Sequence, residues 1–277
     1  MTRRTAIGRT ATYSVAAFLT AFVGFPLFWM VMSSLKPSED LFVNPPRILP
    51  RAITFQWYAN LVGSSDAVSL FHNSLLVGIA TTVVCLSIGT LAAYGVTRFD
   101  YPGRRAFLSA ALLSYVFPAI VLFISVYMIV NALGLVDTRL GLILCHCILT
   151  FPLALWMLKS FFESIPREID EAAWVDGASF LRTFLTIVVP LALPGLFAVA
   201  VFVFVLSWNE FLFASVLITS GRMKTIPVGI AELITSFDIR WGEIMAIGTL
   251  ATVPVVVLFL CVQRYFVRGV MSGAIKG

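Results

Sequence analysis

The amino-acid sequence predicts an all-α membrane protein with six transmembrane helices. Its 277 residues are 60% apolar and only 12% charged, and the mean hydropathy is +0.97. Soluble domains average about 25% charged residues, so this composition is not typical of a water-facing fold. The second observation is six long runs without charge, each close to the length that crosses a bilayer. Because unpaired backbone groups are costly in lipid, each run is expected to be helical.

The six uncharged runs define the predicted spans, and each contains 19 to 31 residues. They cover residues 11–35, 67–97, 106–136, 140–158, 183–209 and 244–263. Pro118 predicts a kink in the third helix. The fifth is expected to run from about Pro194 to Leu217, and the sixth to end near Tyr265. We therefore predict a single transmembrane domain over residues 1–277, with a short tail at 267–277.

The basic residues predict the orientation of the chain. Arg3, Arg4 and Arg9 precede a first run that exceeds the 7–15-residue core of a secretory signal, so an uncleaved signal anchor is expected. With the N-terminus inside, twelve of the nineteen Lys and Arg residues lie on the cytosolic side, which favours two cytoplasmic termini. The basic pI of about 9.2 needs no nucleic-acid partner to explain it.

The most distinctive motif lies in the predicted cytosolic loop 159–190, between the fourth and fifth runs. It reads Glu171-Ala172-Ala173, three residues, Gly177, nine residues, and then Ile187-Val188-Val189-Pro190. The pattern resembles the EAA loop of permease subunits of binding-protein-dependent ABC importers, with Val189 where Leu is usual. We call residues 159–190 the EAA loop. The resemblance implies the type I ABC importer permease fold with a cytosolic coupling helix.

Residue chemistry predicts that the EAA loop folds as two short helices. Pro166 suits a helix start, and Gly177 can take the left-handed conformation that ends one, giving about eleven residues. Three carboxylates favour the first turns, namely Glu168, Asp170 and Glu171. One face carries, at 3-, 4- and 7-residue spacing, Ile169, Ala172, Ala173 and Asp176. Ser179 can cap a second helix that runs to Pro190. On these grounds alone, an amphipathic surface helix is the simpler interpretation.

The resemblance adds a function to this segment. In the family, the loop fits a groove on the ATPase subunit and transmits its closure to the transmembrane helices. The residues implied in that contact are Glu171, Ala172, Ala173, Asp176 and Gly177. The likeness covers nearly the whole chain and includes the end of the sequence, where the family's tail reaches the ATPase interface. This implies that Lys276 and Gly277 also contact the ATPase.

The resemblance also implies partners, solute and location. The partners are a second permease, two ATPase subunits that bind ATP and Mg, and an extracytoplasmic solute-binding protein contacted by the loop Ser220–Gly242. The membrane is a bacterial or archaeal inner membrane, with lipid around the chain. Stretches such as Asn73-Ser74-Leu75 resemble the carbohydrate-uptake branch, which implies a di- or oligosaccharide; glycerol phosphodiesters and polyols are alternatives. No Gly-x4-Gly-Lys-[Ser/Thr] phosphate loop is present, so we expect a non-catalytic chain without a cofactor.

Glu210 is the only carboxylate well inside a predicted span, where ionisable groups usually face a cavity or a partner. Trp208 and Asn209 beside it offer an aromatic face and an amide to a sugar, so these three residues are candidates for the substrate pathway. Alternatively, Glu210 lines or gates the pathway without a strong contact to the sugar. A purely structural role is also open, in which Glu210 pairs with a charge at the outer rim or bonds to another helix. The sequence identifies no partner for His146, and a packing role is expected rather than proton relay. Cys145 and Cys147 flank it but point about 200° apart on a helix, so no metal site is predicted.

Two other functions are open from the sequence. An ion-coupled secondary transporter needs coupling carboxylates at mid-membrane and inverted repeats, but only Glu210 qualifies and no repeat is evident. An intramembrane enzyme needs a nucleophile and a base within the spans, and His146 alone does not make such a pair. The importer permease is therefore the preferred interpretation.

Overall fold

A computed structural model describes residues 3–234 and 239–274, and most of these residues are helical. Its α-helices in chain order are α1 Arg3–Ser34, α2 Ser38–Leu41, α3 Gln56–Gly63, α4 Ser65–Arg98, α5 Arg104–Val116, α6 Ala119–Ala132, α7 Arg139–Glu163, α8 Glu168–Val175, α9 Phe180–Thr183, α10 Val189–Trp208, α11 Leu212–Leu217, α12 Ile226–Glu232 and α13 Trp241–Ala274. Within the described residues, the only β-type pairing is a single bridge between Ile234 and Ile239. The all-α prediction is confirmed.

The predicted third span is broken rather than kinked. Within the part of the chain that the structure describes, five helices are long and apolar enough to cross a membrane, and α5 with α6 forms a sixth span if the pair is counted together. These two helices are bent by 109°. Pro118 lies between them and has no N–H to continue the hydrogen bonding of α5, so the helix stops there and restarts in a new direction.

The chain divides into two compact units. The first comprises Met1–Val68 with Ile230–Pro254, and the second comprises Ser69–Gly229 with Val255–Gly277. The second contains the EAA loop and all the contacts of the candidate site described below. The first contains α1 and the connection that follows it.

Polar contacts hold the connection after α1 in place. The Asp40 carboxylate lies 3.6 Å from the Arg47 guanidinium and accepts the backbone N–H of Arg51 at 2.9 Å. The Lys36 ammonium donates to the carbonyl of Arg47 and lies 4.4 Å from the centre of the Trp29 ring. Burial lowers the pKa of Lys36, although Asp40 acts in the opposite direction. This segment is therefore ordered by side chains rather than by one continuous helix, as its prolines predict.

The core of the second unit consists of two apolar clusters. One lies toward the EAA loop and includes the fully buried Leu158, Phe162 and Val188. The other lies toward α11 and includes Leu142, Phe213 and Leu217. Helices α4 and α7 contribute to both clusters, so these two helices run through the whole unit.

The second helix of the EAA loop was predicted to end at Pro190. In the structure it continues past Pro190 into the membrane span. Helix α9, a π-helical turn at Phe184–Val188 and α10 together form one span, Phe180–Trp208. Pro190 lies in the first turn of α10 and cannot donate to the carbonyl one turn earlier. The wider π turn accommodates the missing hydrogen bond. The fifth span therefore begins inside the EAA loop and not near Pro194.

The C-terminal helix is longer than predicted. Helix α13 runs to Ala274 instead of ending near Tyr265, so residues 267–274 of the predicted tail are helical. Lys276 and Gly277 lie outside the described residues. The predicted loop Ser220–Gly242 also has structure of its own, because it contains α12.

Candidate functional site

Helix α8 is the first helix of the EAA loop, and we call it the EAA helix. It contains eight residues, or about 12 Å, rather than the eleven predicted, because Pro166 and Arg167 form the turn before it. Gly177 has a φ of +83°, which confirms the predicted left-handed end. The N–H of Ala178 donates to the carbonyl of Ala173 at 2.9 Å and closes the helix. The three predicted first-turn carboxylates occupy that turn.

The EAA helix has an exposed side and a buried side. The proposed coupling residues do not all lie on the exposed side. Exposed are four of the five proposed coupling residues, Glu171, Ala172, Asp176 and Gly177. The fifth, Ala173, is buried together with Asp170. The face that carries Ile169, Ala172, Ala173 and Asp176 is therefore divided between the two sides. The inward side is set by Asp170 and Ala173, which are neighbours at a three-residue spacing.

Asp170 fixes the EAA helix to the end of α4. Its carboxylate oxygen lies 2.8 Å from Nε of Arg98, and it accepts a hydrogen bond from the Tyr94 hydroxyl at 2.7 Å. The side chains of Asp170 and Arg98 are only 1% and 3% exposed. Sequence reasoning missed this ion pair, because Asp170 was assigned only to the helix dipole. Its three-residue spacing from Ala173 was the available signal for an inward orientation.

Two further hydrogen bonds join the same segments. Arg98 Nη2 donates to the carbonyl of Ile165 at 3.0 Å, and Arg167 Nη2 donates to the carbonyl of Thr97 at 2.6 Å. The chain on the N-terminal side of the EAA helix is thereby held as firmly as the helix itself.

Aromatic rings pack around this junction. The Tyr94 ring lies 4.8 Å from that of Phe184 and 6.0 Å from that of Phe162, measured between ring centres. Phe180 stands between Trp174 and Phe99, at 4.8 Å and 5.5 Å. These contacts join the EAA helix, α9 and the ends of α4 and α7 into one block. The sequence does not predict such a block, because its members are far apart in the chain.

Glu210 was predicted to lie inside a helix. In the structure it lies in a break between α10 and α11. Helix α10 ends at Trp208, and Asn209 is its capping residue. The Glu210 carboxylate accepts the backbone N–H groups of Phe213 at 2.9 Å and Ala214 at 3.1 Å. It therefore satisfies the free N–H groups at the start of α11. An uncharged run predicts a span, but not that the chain turns at its end.

His146 links Glu210 to a third helix. Its Nε2 lies 3.1 Å from Oε2 of Glu210, and its Nδ1 lies 2.6 Å from Oγ of Ser207. Both ring nitrogens are therefore engaged, with two partners that the sequence did not identify. Two structural roles were open for Glu210, namely pairing with a charge at the outer rim and a bond to another helix. The structure shows the bond to another helix, through His146 of α7. In the described ranges, no group of three or more His, Cys, Asp or Glu side chains is placed to hold a metal ion.

The three candidate substrate-pathway residues are adjacent but face different surroundings. Trp208 is buried and stacks on Phe204, with 5.3 Å between the ring centres. Glu210 is held by the contacts above. Asn209 is exposed, although its Nδ2 donates to the carbonyl of Val205 at 2.8 Å. Of the three, Asn209 is the residue that is accessible to a solute.

Removing the Glu210 side chain is expected to destabilise the junction of α10 and α11. We expect Glu210→Ala to cost about 1–2 kcal/mol, because it removes a helix cap and leaves His146 with one polar partner fewer. Glu210→Gln keeps an acceptor oxygen and is expected to cost about half as much. Thermal melting of the purified protein in detergent measures both. Equal melting temperatures for wild type and Glu210→Ala would contradict the capping role.

At the same end of the unit, Asp137 joins two loops. Its carboxylate accepts the N–H groups of Thr219 and Ser220, each at 2.9 Å, and the Ser220 hydroxyl. Its own N–H donates to the carbonyl of Leu217 at 2.8 Å. The hydrogen bonds from Ser220, and secondly those from Thr219, lower the pKa of Asp137 below its ordinary value of 3.8. The loop after α11 is thereby attached to the loop before α7.

The lowered pKa of Asp137 predicts a pH dependence. The ionised clamp contributes its full stability above about pH 4, and the contribution is lost as the pH falls through the folded-state pKa. Asp137→Asn cannot ionise, so at pH 7 we expect its melting temperature to be about 2–4 °C lower. The difference from wild type should shrink on acidification below pH 4. A difference that stays constant between about pH 6 and 3 would contradict an ionic clamp.

Comparison with known proteins places this geometry in a family. The family described as "Binding-protein-dependent transport system inner membrane component" matches residues 85–272, which include the EAA loop, Arg98 and Glu210. The chain belongs to this family. The predicted resemblance is thereby confirmed, and the protein is an inner membrane component of a binding-protein-dependent transport system.

This inner membrane component is similar to relatives along nearly its whole length. It is 38% identical to the trehalose transport system permease protein SugB of Mycobacterium tuberculosis over 274 residues, which cover 97% of the chain and 99% of the relative. It is 36% identical to the trehalose/maltose transport system permease protein MalG of Thermococcus litoralis over 269 residues, or 95% of each.

A solved structure confirms the fold. A chain from the crystal structure of a bacterial ABC transporter involved in alginate import superposes with a TM-score of 0.79, covering 96% of this chain and 99% of that one. The sequences are 21% identical. The inner membrane component therefore has the predicted ABC importer permease fold.

Proposed function

We propose that the chain is the transmembrane permease subunit of an ATP-driven importer for a sugar, with a disaccharide or short oligosaccharide as the solute. The observation that carries the proposal is the family match over residues 85–272, which contain an EAA helix with an exposed coupling side. The names of two relatives that cover nearly the whole chain support the solute class, since both refer to trehalose transport. Polyols and glycerol phosphodiesters are the alternative solutes.

The exposed side of the EAA helix is the proposed contact for a separate ATPase subunit. Glu171, Ala172, Asp176 and Gly177 form this side. Val175 adds a large apolar side chain that is 87% exposed. The small side chains at 172 and 177 allow another surface to approach closely. ATP and Mg are bound by that partner, and this chain contributes the docking surface alone.

The movement of the EAA helix is proposed to drive alternating access. When two ATPase subunits close, the helix moves, and the ion pair between Asp170 and Arg98 carries α4 with it. The cavity between this chain and a second permease then opens toward an extracytoplasmic binding protein, which delivers the sugar. Hydrolysis resets the assembly. Both termini lie in the cytoplasm in this arrangement, in agreement with the distribution of basic residues.

For the solute pathway, we propose a contact with Asn209. Its exposed amide offers a donor and an acceptor to sugar hydroxyls. Trp208 and Glu210 support it from the buried side, because they fix the end of α10. Replacement of Asn209 is therefore expected to alter the affinity for the sugar more than the stability of the chain.

Co-purification from native membranes tests the proposal. We would tag the chain, solubilise membranes in mild detergent and identify the bound proteins by mass spectrometry. An ATPase subunit and a second permease are expected. Glu171→Lys should release the ATPase. Asp100→Lys is the matched control, since it makes the same charge change at a side chain that is 83% exposed and lies outside the EAA loop.

Two outcomes would contradict the proposal. One is recovery of a lone chain or a homodimer under conditions that keep a known importer assembled. The other is uptake driven by an ion gradient without ATP, which would favour a secondary transporter.

A further inference from the structure

Helix α4 is fixed at its two ends to loops on opposite sides of the second unit. We propose that α4 acts as a tie rod, which makes the position of the 219–226 loop depend on the position of the EAA helix. The proposal rests on the proposed function, in which the EAA helix docks on the ATPase. The 219–226 loop lies at the other end of α4, on the side where the sequence predicts an extracytoplasmic loop.

The first end of the rod lies at Tyr94 and Arg98. Both side chains hold the buried Asp170, through the hydroxyl of Tyr94 and the guanidinium of Arg98. The carbonyl of Thr97 accepts a hydrogen bond from Arg167. One turn of α4 therefore holds the EAA helix and the turn before it, so a displacement of the EAA helix along α4 displaces this turn as well.

The second end of the rod lies at Asn73, which is fully buried. Its Nδ2 donates to the carbonyls of Arg222 and Lys224, at 2.8 Å and 3.0 Å. Its Oδ1 accepts a hydrogen bond from Nε of Arg139 at 3.0 Å. One side chain of α4 thus satisfies two backbone carbonyls of the 219–226 loop and one side chain from the start of α7. The Asn73 side chain is buried, so leaving its amide unpaired is costly.

The residue after Asn73 adds another attachment. The Ser74 hydroxyl accepts the N–H of Ile226 at 2.8 Å. The start of the loop is held separately, because Asp137 accepts the N–H groups of Thr219 and Ser220. The loop is therefore attached to α4 along residues 222–226 and to the α6–α7 turn at residues 219–220.

The rod between these two ends is uninterrupted. From Asn73 to Tyr94 the helix advances about 32 Å. Of the spans in the described residues, α4 alone contains no proline; the others contain Pro26, Pro118, Pro152, Pro194 and Pro254. Proline is the commonest cause of a kink, so α4 is the span least able to bend between its ends. A displacement at Tyr94 is therefore transmitted to Asn73 and not absorbed in the helix.

Hydrogen–deuterium exchange of the purified ATPase complex tests the tie rod. Exchange is measured in the EAA helix and in the 219–226 loop, with and without a non-hydrolysable ATP analogue. In the wild type we expect the analogue to change exchange about fivefold or more in both segments. In Asp170→Asn, which keeps the shape of the side chain, the EAA helix should still respond and the loop should not. The double variant Asp170→Leu with Arg98→Met, which removes the ion pair together with the hydrogen bonds of Tyr94 to Asp170 and of Arg98 to Ile165, takes the place of this variant if it fails to assemble.

Asn73→Ala removes the contacts between the other end of α4 and the loop. We expect exchange in the EAA helix to respond to the analogue in this variant and exchange in the loop not to respond. Ser74→Ala, which removes one hydrogen bond to the loop, is the milder alternative. Thr82→Ala is the matched control. It removes a hydroxyl from the middle of α4 whose hydrogen bond is to Gly78 of the same helix, so both segments should respond as in the wild type.

The tie rod is overturned if the loop responds fully in Asp170→Asn or in the double variant Asp170→Leu with Arg98→Met, or if the wild-type EAA helix responds and the loop does not. In both cases the proposed function stands. Failure of the wild-type EAA helix itself to respond overturns the proposed coupling function, and the tie rod with it.

Discussion

Replacing Asp170 with alanine is expected to abolish transport and to lower the stability of the protein by about 3–5 kcal/mol. The change leaves the guanidinium of Arg98 buried, with a side chain only 3% exposed and without its negative partner. It also removes the acceptor of the Tyr94 hydroxyl. Thermal melting of the purified protein measures the stability, and uptake of labelled sugar by proteoliposomes measures transport.

A second Asp–Arg pair at the same end of the protein is the control. Asp100 pairs with Arg104, but its side chain is 83% exposed. Exposed ion pairs contribute only about 0–1 kcal/mol, so Asp100→Ala should leave both readouts nearly unchanged. The joint replacement Asp170→Leu with Arg98→Met removes both buried charges and should recover most of the stability. Equal melting temperatures for Asp170→Ala and Asp100→Ala would refute the anchoring role of Asp170.

A leucine at Gly177 is expected to abolish transport while membrane insertion and expression stay normal. The φ of +83° at this position costs a residue with a side chain about 1–2 kcal/mol. This strain is too small to unfold the protein. A β-carbon there would meet no atom of the chain within 4 Å. A loss of transport greater than this strain explains must therefore arise where the surface of a partner approaches Gly177. Uptake at matched expression is the measurement.

Two variants separate backbone strain from contact with a partner. Asparagine tolerates the left-handed conformation, so Gly177→Asn would restore transport if strain alone were responsible. We expect it to transport poorly, because its side chain still occupies the contact. Gly103→Leu is the matched control, since Gly103 has a φ of +89° and equally open surroundings. Normal uptake by Gly177→Leu would refute the proposed contact between Gly177 and the ATPase subunit.

The parts of the fold that depend on local chemistry were predictable. The absence of charge from six runs indicates the spans, because a charged side chain within a lipid-spanning helix is costly whatever the rest of the fold. The conformation of Gly177 follows from its own missing side chain. Pro118 likewise marks where a helix is interrupted, but not the 109° bend, because that angle depends on what the two halves pack against.

The polar contacts of the site depend on residues that are distant in the chain, and these were not predictable. Arg98 and Asp170 are 72 positions apart, and His146 and Glu210 are 64 apart. Periodicity relates residues within a few turns of one helix, so the spacing of Asp170 from Ala173 could have indicated an inward side for Asp170, but not its partner. Glu210 was assigned to a span because a hydropathy run does not reveal a change in chain direction.

The separation of Arg98 and Asp170 also orders the steps of biosynthesis. Ribosomes add about 5–20 residues per second, so the arginine waits about 4–14 s before its partner has been synthesised. During that interval, the third and fourth spans are made. The EAA helix therefore docks only after the hairpin between the two charges has been produced.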